Sequence, residues 1–249
     1  MAKLADLIKR ATKGEPAPLG FGAAREKPPA SMVLVALAAK RWPQAVSDAV
    51  AAGADALFLT GRPNEKEITE AIAAADGRPC GLLVAGDADL SALHGAGLDF
   101  LVLSPDAPAR SLQNEDSTFL LRVRDDLTDI QLRTMEALPV DALFLDGGSA
   151  PLTISRQMEI QRVSGLARKT IMLSVASDST QDDLLSLRES GVALIAVDMA
   201  NQDAEEALRH LRGLIDALPK RGRKRGQERP GVTLPTVSSH DHEEDDEDE

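Results

Sequence analysis

The chain has 249 residues, 43% of them hydrophobic, which is enough to bury one large core or two small ones. Its net charge of −12 and an aromatic content of 2%, with no tyrosine, lack the basic, stacking surface of a nucleic-acid binder, so nucleic acid is not an expected partner. A lone cysteine, Cys80, excludes an intrachain disulfide and fits a reducing compartment, and no apolar run approaches the roughly 18 residues of a membrane span.

The opening MAKLADLIKRATKGEP is charged too early and too evenly for a signal peptide, and a cytoplasmic protein is expected. Residues 2–11 set Leu4, Leu7, Ile8 and Ala11 on one helical face. This predicts a short amphipathic helix that docks on the domain, or else on a partner or membrane surface. The GEPAPLGFGAAREKPPA that follows reads as a linker or an ordered loop, so residues 1–30 form a region of their own.

From Ser31 the pattern becomes regular. Strands are predicted at MVLVALA (32–38), DALFLT (55–60), CGLLVA (80–85), DFLVLS (99–104), TFLLRVR (118–124), DALFLD (141–146), TIMLSVA (170–176) and ALIAVD (193–198). Between and after them lie helical patterns such as WPQAVSDAVAAG, EKEITEAIAAAD, ADLSALHGAG, DIQLRTMEAL, TISRQMEIQRVSGLARK, TQDDLLSLRESG and DAEEALRHLRGLIDAL. Only the connection after the fourth strand, PDAPARSLQNEDS, is a weak helix. Strand-then-helix units recurring about every 23 residues predict a (β/α)8 TIM-type barrel over residues 31–218. Near-continuous apolar strands suit a parallel sheet covered by helices. A doubly wound open sheet is the alternative, separated from the barrel only by whether the last strand closes on the first.

Residues 219–249 differ sharply. From Lys220 onward there are six basic and nine acidic residues, in the blocks KRGRKRGQERPG and HDHEEDDEDE, which leaves −9 on residues 1–219. Opposite charge blocks without apolar residues cannot bury enough surface to fold, so a disordered tail is expected, solvated or bound to an oppositely charged partner. His240 and His242 make a poor metal site there.

The even-numbered strands resemble one another: ADALFLTG, LDFLVLSP, VDALFLDG and VALIAVDM. Aligning them makes Thr60, Ser104, Asp146 and Asp198 equivalent. In a (β/α)8 barrel the C-terminal strand ends carry the site, so these four are expected to ring the mouth, with Phe58, Val102, Phe144 and Ala196 pointing into the lumen beneath them. On the fifth strand, Arg122 and Arg124 share a face by the two-residue period. Guanidinium groups there either clamp a carboxylate or phosphate with forked hydrogen bonds, or form an internal salt bridge with Asp146 or Asp198. Lys40, just past the first strand, is a candidate amine for a Schiff base or anion contact, although the neighbouring Arg41 favours simple exposure.

The turn LDGGSAPLT is read as an anion loop or a lid, with Ser149 capping a helix that Pro151 helps begin. His94, His210 and Cys80 fall away from the strand C-termini, which disfavours Ser-His-Asp, Cys-His and His-rich metal sites. A Mg²⁺ site built from Asp87, Asp146 or Asp198 has nothing in the spacing to demand it, and no metal site is assigned.

Two stretches carry a family resemblance. AVAAGADALFLTG (49–61) and STQDDLLSLRESGVALIAVD (179–198) resemble the aldolase-type, phosphate-binding TIM barrels, such as the thiamine-phosphate synthase, tryptophan-pathway and nitronate monooxygenase groups. The resemblance covers roughly residues 31–218 and implies a (β/α)8 fold in which glycines after strand seven, and a Gly-Ser pair after strand eight, hold a phosphate. The matching positions here are Val175-Ala176-Ser177 and Asp198-Met199. Their side chains obstruct close backbone approach and Asp198 repels phosphate, so the glycine grip is not retained.

The functional expectation is a barrel that binds a small anionic, carboxylated molecule at its C-terminal face. Asp146 would be the acid/base and Lys40 its assistant, with Arg122, Arg124, Ser104, Thr60, Asp198 and Ser177 binding the substrate. Lyase, isomerase and flavin-type chemistries all fit, and the sequence names no cofactor. The alternative is a catalytically inactive barrel that assembles with protein partners through residues 1–13 or 220–249. Either form is compatible with a homo-oligomer.

Overall fold

A computed structural model describes residues 3–12, 31–84, 93, 95–113, 117–124, 126–147, 152–201 and 203–219. Eight strands form in chain order: β1 (Val33–Ala38), β2 (Ala56–Leu59), β3 (Cys80–Val84), β4 (Phe100–Leu103), β5 (Thr118–Val123), β6 (Ala142–Leu145), β7 (Thr170–Ser174) and β8 (Val192–Asp198). Each pairs in parallel with the next. The last pairs back onto the first, from Val33–Leu194 to Leu37–Asp198. The sheet is therefore a closed barrel, and the open doubly wound alternative falls.

The described helices are α1 (Lys3–Thr12), α2 (Trp42–Ala51), α3 (Glu65–Ala74), α4 (Asp129–Thr134), α5 (Ile154–Ala167), α6 (Gln181–Glu189) and α7 (Ala204–Ala217). Their starts follow from local chemistry. Asn64 with Glu67, Thr128 with Gln131 and Thr180 with Asp183 form reciprocal capping boxes at α3, α4 and α6. Thr153 caps α5 by accepting the amide of Arg156. The connection after β4 contains a short 3-10 turn, Ala109–Leu112, which accounts for its weak helical pattern. No described helix is long and apolar enough to cross a membrane. The linker, His94, Asp87, Ser149, Pro151 and the charged tail from Lys220 lie outside the described residues.

Strand parity divides the core in two. Leu57, Leu59, Leu101, Leu143 and Ile195 face outward onto Val46, Ile68, Leu132, Ile160, Leu184 and Leu208 of the helices. Val35, Phe58, Val102, Leu120, Phe144, Met172 and Ala196 face inward and fill the lumen, as the even-strand repeat predicted. With only five phenylalanines in the chain, three of them meet here. Phe58 packs edge-on against Phe144 at 5.3 Å and tilted against Phe100 at 6.3 Å.

The lumen is completed from the N-terminal end of the barrel by α1. Leu4, Ile8 and Ala11 are buried among the inward-facing strand residues. The aspartate that opens each of β2, β4 and β6 shows how the helix is seated. Asp55 accepts the amide of Leu34 at 2.8 Å and Asp141 that of Phe119 at 3.1 Å, each stitching its strand to the preceding one. The equivalent Asp99 instead accepts the first amides of α1, from Lys3 at 2.8 Å and Leu4 at 2.9 Å. Lys3 Nζ adds a bond to the carbonyl of Gly77 at 2.9 Å. The apolar face of α1 is thus occupied by its own barrel. That corrects the expectation that residues 1–13 could offer this face to a protein partner.

Candidate functional site

Because all eight strands run parallel, their C-terminal ends share one mouth, and the strand-end residues collect there. On β5 the inward parity of Leu120 continues to Arg122, whose register partner on β6 is Phe144. Two residues beyond Phe144, Asp146 rises above the packed lumen to meet it. Arg122 donates from Nε to Asp146 Oδ2 at 3.0 Å, and its Nη2 donates to the same oxygen. The pair is not buried: 45% of the arginine side chain and 55% of the aspartate side chain are exposed. A cavity of about 460 Å³ opens beside it, lined by Ser104, Pro105, Asp106, Arg122, Val123, Arg124 and Asp146.

The structure therefore brings together Ser104, Arg122, Arg124 and Asp146. Within this group Arg124 lies furthest into solvent, with 79% of its side chain exposed and a 3.5 Å contact to Asp126. The other sequence candidates stand elsewhere on the rim. The carbonyl of Thr60 accepts Trp42 Nε1 at 3.1 Å, and the same indole nitrogen bonds the carbonyl of Ala38, tying the ends of β1 and β2 together. Lys40 is exposed on the loop that this tryptophan fastens. Asp198 is exposed and folds its Oδ1 back to the amide of Ala200 at 2.8 Å. Ser177 is exposed beyond β7. Thr60, Ser104, Asp146 and Asp198 do all end even-numbered strands, but only Ser104 and Asp146 line one cavity.

The turn after β6 has a steric role. A β-carbon at Gly147 would collide with the carbonyl oxygen of Ser174, so only glycine lets the end of β6 lie against β7. The carbonyl of Asp146 is in turn held by Arg156 Nη2 at 3.0 Å, while Arg156 Nη1 pairs with Glu159 at 2.7 Å. A second cavity, about 270 Å³, lies on this side, between β7 and the start of α6, with Ser174, Ala176, Asp178, Thr180 and Asp183 among its lining. This cavity includes Val175 and Ala176 of the positions where the resemblance places a phosphate, but not Ser177, Asp198 or Met199. Two carboxylates face it, and the Thr180–Asp183 box already engages the amides of Thr180 and Asp183.

No family model matches the chain, and no curated protein matches it in sequence. Solved structures do match. The chain is similar to 3-keto-L-gulonate-6-phosphate decarboxylase from Vibrio cholerae at 12% identity, over 76% of this chain and 98% of that one, with a TM-score of 0.60. It is similar to the tryptophan synthase α-subunit of Pyrococcus furiosus at 14% identity, over 76% and 98%, with a TM-score of 0.58. An HpcH/HpaI aldolase from Desulfitobacterium hafniense follows at 11% identity, over 76% and 94%, with a TM-score of 0.53.

The fold is that of a TIM barrel.

At such identities the likeness is one of fold, and the site of this TIM barrel has to be read from its own residues. Pro105, Asp106 and Val123 line the mouth cavity, and Arg156 fixes the backbone of Asp146, yet sequence reasoning singled out none of them. For Asp106 a signal existed, since it lies two residues beyond the equivalent strand end at Ser104. For Arg156 none did, because its target is a carbonyl.

Proposed function

We propose that this TIM barrel binds a small carboxylated molecule in the cavity over β4, β5 and β6. The observation that supports the reading is the Arg122 guanidinium at the mouth, seated on a packed lumen and open to a cavity of about 460 Å³. A guanidinium recognises a carboxylate with forked, charge-assisted hydrogen bonds. The decarboxylase with the similar fold acts, by its name, on a phosphorylated substrate. Here the region after β7, outside the cavity over β4, β5 and β6, presents Asp178 and Asp183 instead of glycines, which disfavours an anion at that place and leaves the Arg122 side of the mouth as the anion site.

In this reading Arg122 anchors the ligand, Arg124 adds positive potential, Ser104 offers a hydroxyl, and Asp146 stands where it can move a proton. That assignment suits a lyase or isomerase step next to the bound carboxylate. Thr60, Asp198, Ser177 and Lys40 lie outside this cavity and would contact only a ligand that reaches across the mouth. A second reading is a binding or assembly barrel without catalysis. It is favoured by the Arg122–Asp146 bond itself, which occupies the carboxylate an acid/base step would use. Since α1 is docked, partner recruitment in that case falls to residues 220–249.

Native mass spectrometry of the protein from its own host, run beside Arg122→Ala, tests the binding reading. A retained organic acid that is lost in the variant is the expected result. A ligand retained equally by both proteins, or no ligand together with no thermal stabilisation by a panel of carboxylates, overturns it.

A further inference from the structure

We propose that the ligand of the mouth cavity is a zwitterion, carrying an ammonium group as well as a carboxylate. This rests on the reading of the cavity as a carboxylate site and narrows the class of molecule. The lining is balanced in charge, with Arg122 and Arg124 against Asp106 and Asp146, although the chain as a whole carries −12. Arg122 is also already engaged, through Nε and Nη2, with one oxygen of Asp146. A ligand carboxylate reaches that guanidinium either by displacing Asp146 or by sharing the arginine with it.

Both routes set a second negative group beside Asp146, with Asp106 lining the same space. Like charges at such range repel, and a displaced Asp146 loses its partner. A plain mono- or dicarboxylate therefore exchanges one ion pair for another and adds a repulsion. An ammonium on the same molecule removes that penalty. It takes the carboxylate of Asp146 as the ligand carboxylate takes Arg122, so both pairs exchange partners and no charge is stranded. Asp106 provides a second acceptor: its amide bonds Ser104 Oγ at 3.4 Å, and among the described residues its carboxylate is in no ion pair. The site thus selects by the unfavourable contact it presents to simple anions as much as by the favourable one to a zwitterion.

Isothermal titration calorimetry on the full chain at low ionic strength tests this, because exposed pairs are screened by salt. The probes are β-alanine, γ-aminobutyrate and ε-aminocaproate. Each is matched with the dicarboxylate in which a carboxylate replaces the ammonium: succinate, glutarate and pimelate. At least one amino acid is expected to bind about tenfold more tightly than its partner. Asp146→Asn should erase or invert that preference with an unchanged melting temperature, and Asp106→Asn serves in its place should the first variant fail to fold. Dicarboxylates that bind as well or better overturn the zwitterion and leave the carboxylate site standing. A preference that survives both substitutions also overturns it. Binding by neither series removes the carboxylate site as well.

Discussion

Arg122 and Asp146, on neighbouring strands, are joined twice through a single carboxylate oxygen, yet each side chain keeps about half of its surface in water. That exposure decides the energetics. A buried pair that loses one member strands a charge and costs about 3–5 kcal/mol, whereas a pair open to solvent contributes about 0–1 kcal/mol. Arg122→Ala is therefore expected to lower the unfolding free energy by no more than about 1 kcal/mol in urea titration. A loss in the range of a buried pair would make the contact structural and deprive the site of its anchor.

The N-terminal helix behaves in the opposite sense. Leu4 is fully buried in the lumen core, while Ile154 on the outer face of α5 is 78% exposed. Leu4→Ala should cost about 2–5 kcal/mol through lost transfer energy and the cavity left behind. Ile154→Ala should stay within about 0.5 kcal/mol of the parent. Asp99→Ala removes the acceptor for the amides of Lys3 and Leu4 and should cost about 0.5–2 kcal/mol, as the loss of a helix cap does. Equal melting curves for the Leu4 and Ile154 variants would show that α1 is not part of the core.

These contrasts mark what the sequence could and could not reveal. Strand positions and lumen parity were legible because a period of two, repeated in ADALFLTG, LDFLVLSP and VDALFLDG, has one packing solution. The same alignment equated four strand ends but could not say that Trp42 would bind the Thr60 carbonyl or that Asp198 would fold onto Ala200. Those are loop contacts, set by tertiary geometry and not by any spacing in the chain. The aspartates opening β2, β4 and β6 were visible as a repeat, while the diversion of Asp99 to α1 depends on a helix more than ninety residues away in sequence. The Arg122–Asp146 contact was one of two readings of a charged pair on a core strand. Only its exposure, which periodicity does not encode, separates a ligand anchor from a buried brace.

Gly81 faces the lumen from β3, and a β-carbon there would collide with the ring carbons Cδ2, Cε2 and Cζ of Phe100. No unusual backbone angle is involved, so the whole effect of a substitution is steric. Gly81→Ala should cost about 1–3 kcal/mol through overpacking. Phe100→Leu in the same chain should recover part of that loss, because the smaller side chain vacates the space. A double-mutant cycle on urea midpoints is expected to return a coupling of about 0.5–3 kcal/mol. Strictly additive effects would mean that the two residues do not share the lumen.

Cys80, the first residue of β3, has only 2% of its surface exposed. Burial, helped by the negative charge of Asp99, pushes its thiol up from 9.0 to about 12. Between those values the native state keeps a proton that the unfolded chain releases. The contribution is therefore complete below the unfolded value and is lost as pH rises towards the folded one, at up to about 1.4 kcal/mol per pH unit. Lysines titrate in the same range, so the comparison has to be internal. From about pH 8 to about pH 11 the parent should lose stability more steeply than Cys80→Ala, by up to the share of one thiol. At neutral pH the native thiol should resist iodoacetamide, with labelling tracking the unfolding transition. Parallel pH profiles for parent and variant, or rapid labelling of the native protein, would place Cys80 in contact with solvent and contradict the packing at the start of β3.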